Sequence, residues 1–275
     1  KRNNWLVIQV RVICLVKFVP DVEAFQYDSE KKQLIRENVK TIINPDDASA
    51  LAAALRLKKQ YGLSVELVTM GPVSVKPKLR DYIRIGADKA VLISDAAYSG
   101  SDTYATSLIL GDYLRQAKAD IILTGTHTID GDTAHVPAQI AERIDYSFLS
   151  GITKLEEQCM KDHTILCSVE SDECISHYSL ELPALLAVSR ESRYSPPYVS
   201  YADLDRYVDD KIEVVTNAGL NIPEERIGLK GSRTRVVDTY TKALETRQRT
   251  IVSTDDEGIE YVYQFLKEKG FVDEK

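Results

Sequence analysis

The sequence is poor in the residues from which metal centres and thiol chemistry are built. Its four cysteines, Cys14, Cys159, Cys167 and Cys174, show no CxxC spacing. That excludes a zinc ribbon or a cysteine-ligated iron–sulfur cluster and leaves them as small apolar residues of strands. The four histidines form no HExxH pair. Glycine patterns for phosphate are missing too: no GxGxxG follows a strand-like run and no GxxxxGK[ST] occurs, so neither a dinucleotide-binding Rossmann motif nor a P-loop is supported. No GxSxG nucleophile elbow is present. Long apolar runs are absent. The start, Lys1 to Val10, is basic and then apolar, but Arg11 and Lys17 interrupt it and no small-residue cleavage site follows. Nowhere do about 18 uncharged apolar residues run together, so a cytoplasmic protein without a membrane span is expected. Positive charge is also in deficit. Lys plus Arg number 35 against 42 Asp plus Glu, a net of −7, which argues against a phosphate-backbone surface and hence against nucleic acid.

What is present is the pattern of a soluble α/β protein: 275 residues, 44% apolar and 28% charged, enough for a core of ordinary size. Val12 to Val16 is a near-continuous aliphatic run, as in a strand buried on both faces of a parallel sheet. The pattern then loosens between Phe25 and Ile43, where Tyr27 to Lys31 reads as a turn between two short strands. At Asn44-Pro45-Asp46-Asp47 a helix opens, with Asn44 as its N-cap, Pro45 in the first helical position and two aspartates complementing the dipole. Ala48, Leu51, Ala52 and Leu55 form its apolar face.

Strands and helices go on alternating. Val65–Thr69, Ala90–Ile93 and Asp120–Thr124 read as strands. The helices between and after them carry Leu79, Tyr82 and Ile83 up to a left-handed cap at Gly86, then Ala105, Leu108, Ile109 and Tyr113, then Val136, Ile140, Ala141 and Ile144. This is the signature of an open, mostly parallel sheet with helices on both faces. After Ile144 the texture changes to alternating antiparallel strands, Thr164–Val169 and Cys174–Leu182, followed by a buried run, Ala184–Val188. Ser195-Pro196-Pro197 marks a boundary. Residues 1–200 thus read as one α/β domain. Residues 201–275, charged and ending in a helix at Ile259–Lys269, are too poor in buried runs for a core of their own. They read either as an arm that packs on something else or as an extension.

In an open parallel sheet the ligand site lies beyond the carboxyl ends of the strands. The most informative loop there is Gly125-Thr126-His127-Thr128-Ile129-Asp130-Gly131-Asp132-Thr133. It follows a strand and feeds a helix whose exposed amides suit a pyrophosphate. Its carboxylates would repel phosphate and serve better as caps or as acceptors for sugar hydroxyls or adenine. The bland alternative is a well-capped helix without a ligand. His127 and His135 read as loop and helix-start residues rather than an acid–base pair. A nucleotide-type pocket with no nucleophile or base suggests a carrier whose cofactor does the chemistry. Ser99-Gly100-Ser101-Asp102-Thr103 has some likeness to the SGGxDS loop of ATP pyrophosphatases, which keeps an ATP-cleaving ligase as a distant alternative.

Seven motifs in order resemble one family. Val16-Lys17-Phe18-Val19-Pro20-Asp21, Ile43 to Asp47, Met70-Gly71-Pro72, Ile85 to Ala90, Leu123-Thr124-Gly125, Ile129 to Thr133 and Leu229-Lys230-Gly231-Ser232 are similar to those of the β subunit of electron transfer flavoproteins, over nearly the whole chain. The resemblance implies a heterodimer in which β supplies an adenine-nucleotide-binding domain and a C-terminal arm that embraces the α subunit. Ordinary members hold AMP in β and carry electrons on an FAD held mainly by α. Bifurcating members hold a second FAD in β, which accepts hydride from NADH and sends electrons to ferredoxin or flavodoxin and, through the α-subunit FAD, to an acyl-CoA or 2-hydroxy-acid dehydrogenase. Ser94-Asp95 and Ser99 to Ser107 resemble the bifurcating kind. By family position Leu15, Asn44, Asp47, Met70, Asp102, Thr103, Thr106, the loop Gly125, Thr126, His127, Thr128, Ile129, Asp130, Gly131, Asp132 and Thr133, and Val136 are expected to line the cofactor site, with no catalytic side chain and no metal. Arg193, Tyr194, Pro196, Pro197 and Tyr198 correspond to the region that docks the dehydrogenase, though a packed boundary loop would have the same composition. The chain departs from the family at Thr126 and His127, where a basic residue and Gln are usual, at His135 for Gln, and at Arg233 for Pro.

Overall fold

The computed structural model describes residues 10–21, 26–28, 33–35, 40–161, 163–235 and 250–272. The signal-like start at residues 1–9 and the centre of the expected turn at residues 29–31 lie outside the described residues. Two compact units are present, residues 1–236 and 237–275. The first therefore runs past the boundary expected at residue 200.

Its frame is one nine-stranded sheet. In chain order the strands are β1 (Arg11–Leu15), β2 (Phe18–Pro20), β3 (Gln26–Asp28), β4 (Gln33–Ile35), β5 (Thr41–Ile43), β6 (Ser64–Met70), β7 (Lys89–Ile93), β8 (Ile121–Gly125), β9 (Ser147–Lys161), β10 (Thr164–Glu170), β11 (Ile175–Glu181), β12 (Ala184–Val188) and β13 (Ile212–Val215). The sheet order is β11-β10-β9-β12-β8-β1-β6-β7-β13, while β2 pairs with β5 and β3 with β4 outside it. From β9 to β13 across the sheet all pairs are parallel, and only β9-β10-β11 run antiparallel.

The helices are α1 (Pro45–Tyr61), α2 (Lys76–Arg84), α3 (Thr103–Ala117), α4 (His135–Ile144), the single turns α5 (Asn217–Leu220) and α6 (Gly228–Gly231), and α7 (Asp256–Glu268). Strand side chains alternate between faces. Val12 and Cys14 of β1 join the core under α1 and α2, with Leu51, Leu57, Leu79 and Ile83. Ile13 and Leu15 join the other core, under α3 and α4, with Leu108, Ile109 and Ile140. Continuous apolar runs in the strands are the direct consequence of this double cover. Among the described residues no helix is long and apolar enough to cross a membrane.

Some local expectations change. Asn44 precedes α1 but makes no side-chain cap bond. Gly86 sits at φ 132°, outside the left-handed helical well, yet it ends α2 with the two backbone bonds of a glycine cap, Gly86 N donating to Ile83 O and Ala87 N to Tyr82 O, each at 3.1 Å. Cys14, Cys159 and Cys167 are buried, as apolar strand residues should be, whereas Cys174 is exposed and precedes β11. The long strand β9 was not read from the sequence. Its polar and apolar residues follow no strict alternation, and its interior glycine, Gly151, has φ 76°, a further break in the pattern. β13 was missed because it is an edge strand: two of its four residues are exposed, so no buried run marks it.

The second unit holds α7, whose start is capped by Asp255, its Oδ1 accepting from Gly258 N at 2.9 Å. Ile259, Val262 and Phe265 are exposed along it.

Candidate functional site

The strand order reverses at β1. From it the chain steps outward through β6 and β7, then returns to place β8 on the other side. The carboxyl ends of β1 and β8 therefore diverge into a crevice, the place where open α/β sheets bind ligands.

The start of α1 closes the floor of that crevice. Asp47 is buried, and its carboxylate bridges the two strand ends: Oδ2 accepts from Lys17 N at 2.7 Å and Oδ1 from Gly125 N at 2.9 Å. Gly125 is required by this close approach. A Cβ there would lie 2.3 Å from Asp47 Oδ1, 2.7 Å from Asp46 Cβ and 2.8 Å from Asp47 N. Burial pushes the Asp47 carboxyl up to about 7, against the opposing effect of the two amides.

Asn44, the residue expected to cap α1, instead holds the loop after β8. Its Nδ2 donates to His127 O at 2.8 Å, and its Oδ1 accepts from Ile129 N at 3.2 Å. Lys17 Nζ reaches across to Asp130 Oδ2 at 2.6 Å. His127 lies with Nδ1 3.4 Å from Asp46 Oδ2 and Nε2 3.8 Å from Asp132 Oδ1. Of the loop's two carboxylates, Asp130 is thus paired with Lys17 and the exposed Asp132 lies near His127; neither serves as the expected side-chain cap of α4.

The helix beyond this loop begins in an unusual way. Asp132 and Ala134 have φ 49° and 53°, left-handed conformations that cost an alanine about 1–2 kcal/mol. No side chain caps α4. Its first amides are therefore left for water or a ligand. α3, whose start faces the same crevice, is capped: Asp102 Oδ1 accepts from Ala105 N at 2.9 Å, and Oδ2 accepts from Arg233 N and Thr234 N at 2.7 and 2.8 Å. Ser232 Oγ accepts from Asp102 N at 2.8 Å and donates to Gly228 O. The Leu229-Lys230-Gly231-Ser232 motif is thereby clasped to the start of α3.

These elements enclose a cavity of about 350 Å³. Leu15, Val68, Met70, Leu110 and Val136 give it apolar walls; Ser101, Asp102, Thr103, Thr106, Thr124, Thr126, His127, Thr128 and Thr133 give polar ones; Gly125, Gly131 and residues 134–137 complete it. Among the expected residues, Leu15, Asp47, Met70, Asp102, Thr103, Thr106, Gly125, Thr126, His127, Thr128, Gly131, Thr133 and Val136 come together there. Asn44, Ile129, Asp130 and Asp132 do not line it. Asn44 and Asp130 are spent on holding the loop, and Ile129 takes part through its amide. Val16, Lys17, Val68, Leu110, Thr124 and Pro137 line the cavity without having been expected, and Ala134 and His135 do so within the expected loop. Lys17 had a signal, since it stands in the first of the seven motifs, just beyond the first strand.

The residues present fit an adenine nucleotide. The apolar walls suit a base, the uncapped α4 start suits phosphate, and the Thr126 hydroxyl is buried with no hydrogen-bond partner in the protein, a group that a ligand would satisfy. The volume lies at the small end of the usual range of about 300–1,000 Å³ for ligand pockets.

The expected docking residues divide. Tyr194 is tied down, its hydroxyl accepting from Leu155 N at 2.9 Å with Arg56 5.5 Å from its ring centre. Pro196 is half-buried, and Arg193, Pro197 and Tyr198 are exposed, Tyr198 almost fully at 98%.

Comparison with known proteins agrees with this geometry. The electron transfer flavoprotein domain family matches residues 32–217. The chain is 33% identical over 270 residues to the electron transfer flavoprotein subunit beta of Thermoanaerobacterium thermosaccharolyticum, covering 94% of this chain and 99% of that one. It is 33% identical to the caffeyl-CoA reductase-Etf complex subunit CarD of Acetobacterium woodii over 84% of this chain and 88% of that one. It is 33% identical to protein FixA of Azotobacter vinelandii over 89% and 88%. With a pocket at the β1/β8 switch point, and relatives of this kind along nearly its whole length, the chain belongs to the electron transfer flavoprotein family as a homologue of its β subunit.

Proposed function

We propose that this chain is the β subunit of an electron-bifurcating electron transfer flavoprotein, acting in the cytoplasm and holding FAD in the cavity between β1 and β8. The observation that carries the reading is that Ser101, Thr103 and Thr106, from the stretch resembling the second-flavin segment, share one cavity with the Gly125–Val136 loop. Bound there, FAD would supply hydride acceptance from NADH and one-electron transfer. The chain's own residues bind and orient. The α4 amides and Thr126 take the phosphates, Leu15, Met70 and Val136 flank the base, and the first turn of α3 forms the wall toward the rest of the cofactor. Asn44, Asp47 and Lys17 hold the loop in place without touching the reacting atoms.

In this reading α7 belongs to an arm that docks on an α subunit, supported by its exposed apolar residues. The same reading implies as partners ferredoxin or flavodoxin and, reached through the α-subunit FAD, an acyl-CoA or 2-hydroxy-acid dehydrogenase, to which bound FAD would supply electrons. The likeness to a caffeyl-CoA reductase-Etf complex subunit supports a partner of that type, with exposed Tyr198 and its neighbours as docking residues.

A second reading is favoured by the cavity volume of about 350 Å³, which suits a mononucleotide: a non-bifurcating subunit with structural AMP. Co-expression with an α subunit, denaturation of the purified heterodimer and quantification of released nucleotides separate the two. About two FAD and no AMP per heterodimer is the expected result. One FAD with one AMP overturns bifurcation and leaves a simple carrier.

A further inference from the structure

A second cavity, of about 280 Å³, lies on the far side of the first turn of α3, lined by Tyr104, Glu225, Arg226, Lys230, Gly231, Ser232 and Arg233. Its chemistry is opposite to that of the chain as a whole. The protein carries a net −7, yet three cations face one carboxylate here. Two guanidiniums crowd the aromatic wall: Arg143 and Arg233 lie 4.6 and 4.7 Å from the Tyr104 ring centre. Lys230 has a loose, exposed partner in Glu224 at 3.6 Å. No carboxylate of the described residues stands within ion-pair distance of Arg143, Arg226 or Arg233. Cations gathered in a concavity repel one another unless an anion joins them. The same two arginines hold the Tyr104 phenol below its ordinary value, as expected in a positive field.

The cavity is built into the site rather than scattered on the surface. Arg233 is fixed by its backbone amide to Asp102, and Ser232 by its hydroxyl to Gly228 and Asp102. Asp102 in turn lines the first cavity, so its hydrogen bonds tie the lining of one cavity to that of the other. Planar guanidiniums presenting paired N–H donors are the groups that recognise phosphate oxygens, and a concave pocket with an aromatic side suits a small anion better than a flat protein face.

We propose that the Tyr104–Arg226–Arg233 cavity binds phosphate groups, those of a nucleotide that reaches the neighbouring cavity from outside. The identification of that nucleotide as NADH rests on the function proposed above; the phosphate site does not.

The test uses the purified heterodimer. Inorganic pyrophosphate is titrated by calorimetry into the wild type, Arg226→Ser, Arg233→Ser and the control Lys59→Ser, which changes an exposed cation on α1 across the sheet. Saturable binding is expected in the wild type and the control, weakened about tenfold by each arginine change and weakened by salt. Unchanged melting temperatures show that the variants fold. In a second arm, pyrophosphate is added to NADH oxidation assays. Competition with NADH, and a raised NADH KM at constant kcat in the arginine variants, assigns the phosphates to the nucleotide. Pyrophosphate binding without competition assigns the site to free phosphate. Absence of binding, or equal binding by the arginine variants and the wild type, overturns the proposal. A preparation holding AMP instead of a second FAD defeats the bifurcating reading but leaves the pyrophosphate titration to decide the site.

Discussion

Two helices begin at the rim of the same cavity, and their beginnings are made differently. Both follow a parallel strand, and both are preceded by small, hydroxylated and acidic residues. At α3 the cap is internal: Asp102 takes the amide of Ala105 with one oxygen and the amides of Arg233 and Thr234 with the other. At α4 there is none, and the approach passes through two left-handed non-glycine residues, Asp132 and Ala134. The first is a structural joint that fastens residues 232–234 to the start of α3. The second leaves amides free, which costs stability unless something binds them. One cavity thus has one finished wall and one wall poised for a ligand.

The largest effect is expected where both walls meet their common floor. In Gly125→Ala the new methyl would fall within 2.8 Å of backbone and side-chain atoms at the start of α1. Overpacking of about 1–3 kcal/mol adds to loss of the Gly125–Asp47 bond. A large fall in denaturation midpoint and loss of bound nucleotide should appear together; a nucleotide-bound variant of normal stability would show that this floor does not position the site.

The contrast between the helix starts is tested by a pair of variants. Asp102→Ala removes a cap and strands two further amides, so urea denaturation should show about 1–3 kcal/mol of lost stability. Thr133→Ala removes no cap and should stay within about 0.5 kcal/mol, while lowering nucleotide retention during dialysis. If both variants lose stability equally, α4 is capped by Thr133 after all and the distinction collapses.

The buried Asp47 carboxyl gives the floor a pH dependence. Its folded-state value, about 7, lies above the unfolded one, so the folded protein holds the extra proton. The contribution of Asp47 to stability is therefore greatest at low pH and is lost as pH rises through 7. Asp47→Asn cannot titrate. The stability advantage of the wild type over this variant should shrink between pH 5 and pH 8 in denaturant titrations; a constant or growing advantage contradicts the burial argument.

The smallest effect is expected at Ala134. Replacement by glycine relieves a left-handed alanine and should raise stability by up to about 1 kcal/mol without ligand. A decrease, read by thermal denaturation, would mean that the α4 approach is not strained.

The alternation of strands and helices was legible because burial on two faces writes long aliphatic runs into β1, β6, β7 and β8, and one-sided burial writes 3.6-residue periodicity into the helices. β9 and β13 escaped because one is partly polar and interrupted and the other lies at an edge. The site was legible as loops but not as contacts. Asn44, with cap-forming chemistry in a cap position, spends its side chain on a loop 83 residues away. Asp130, in the most suggestive motif, turns to Lys17 rather than to the cavity.

The sequence alone determined the layer architecture, the family pattern and the loops around which a ligand site would gather, since these follow from local periodicity and residue type. Only the tertiary structure decided which polar side chain serves which backbone group. Hydrophobic burial is additive and non-directional, so it can be read position by position. A hydrogen bond needs two particular groups within about 3 Å of each other. Whether Asn44 caps a helix or holds a loop, and whether Asp102 or Thr133 finishes a helix start, depends on where the strand order reverses and which distant segments it brings face to face.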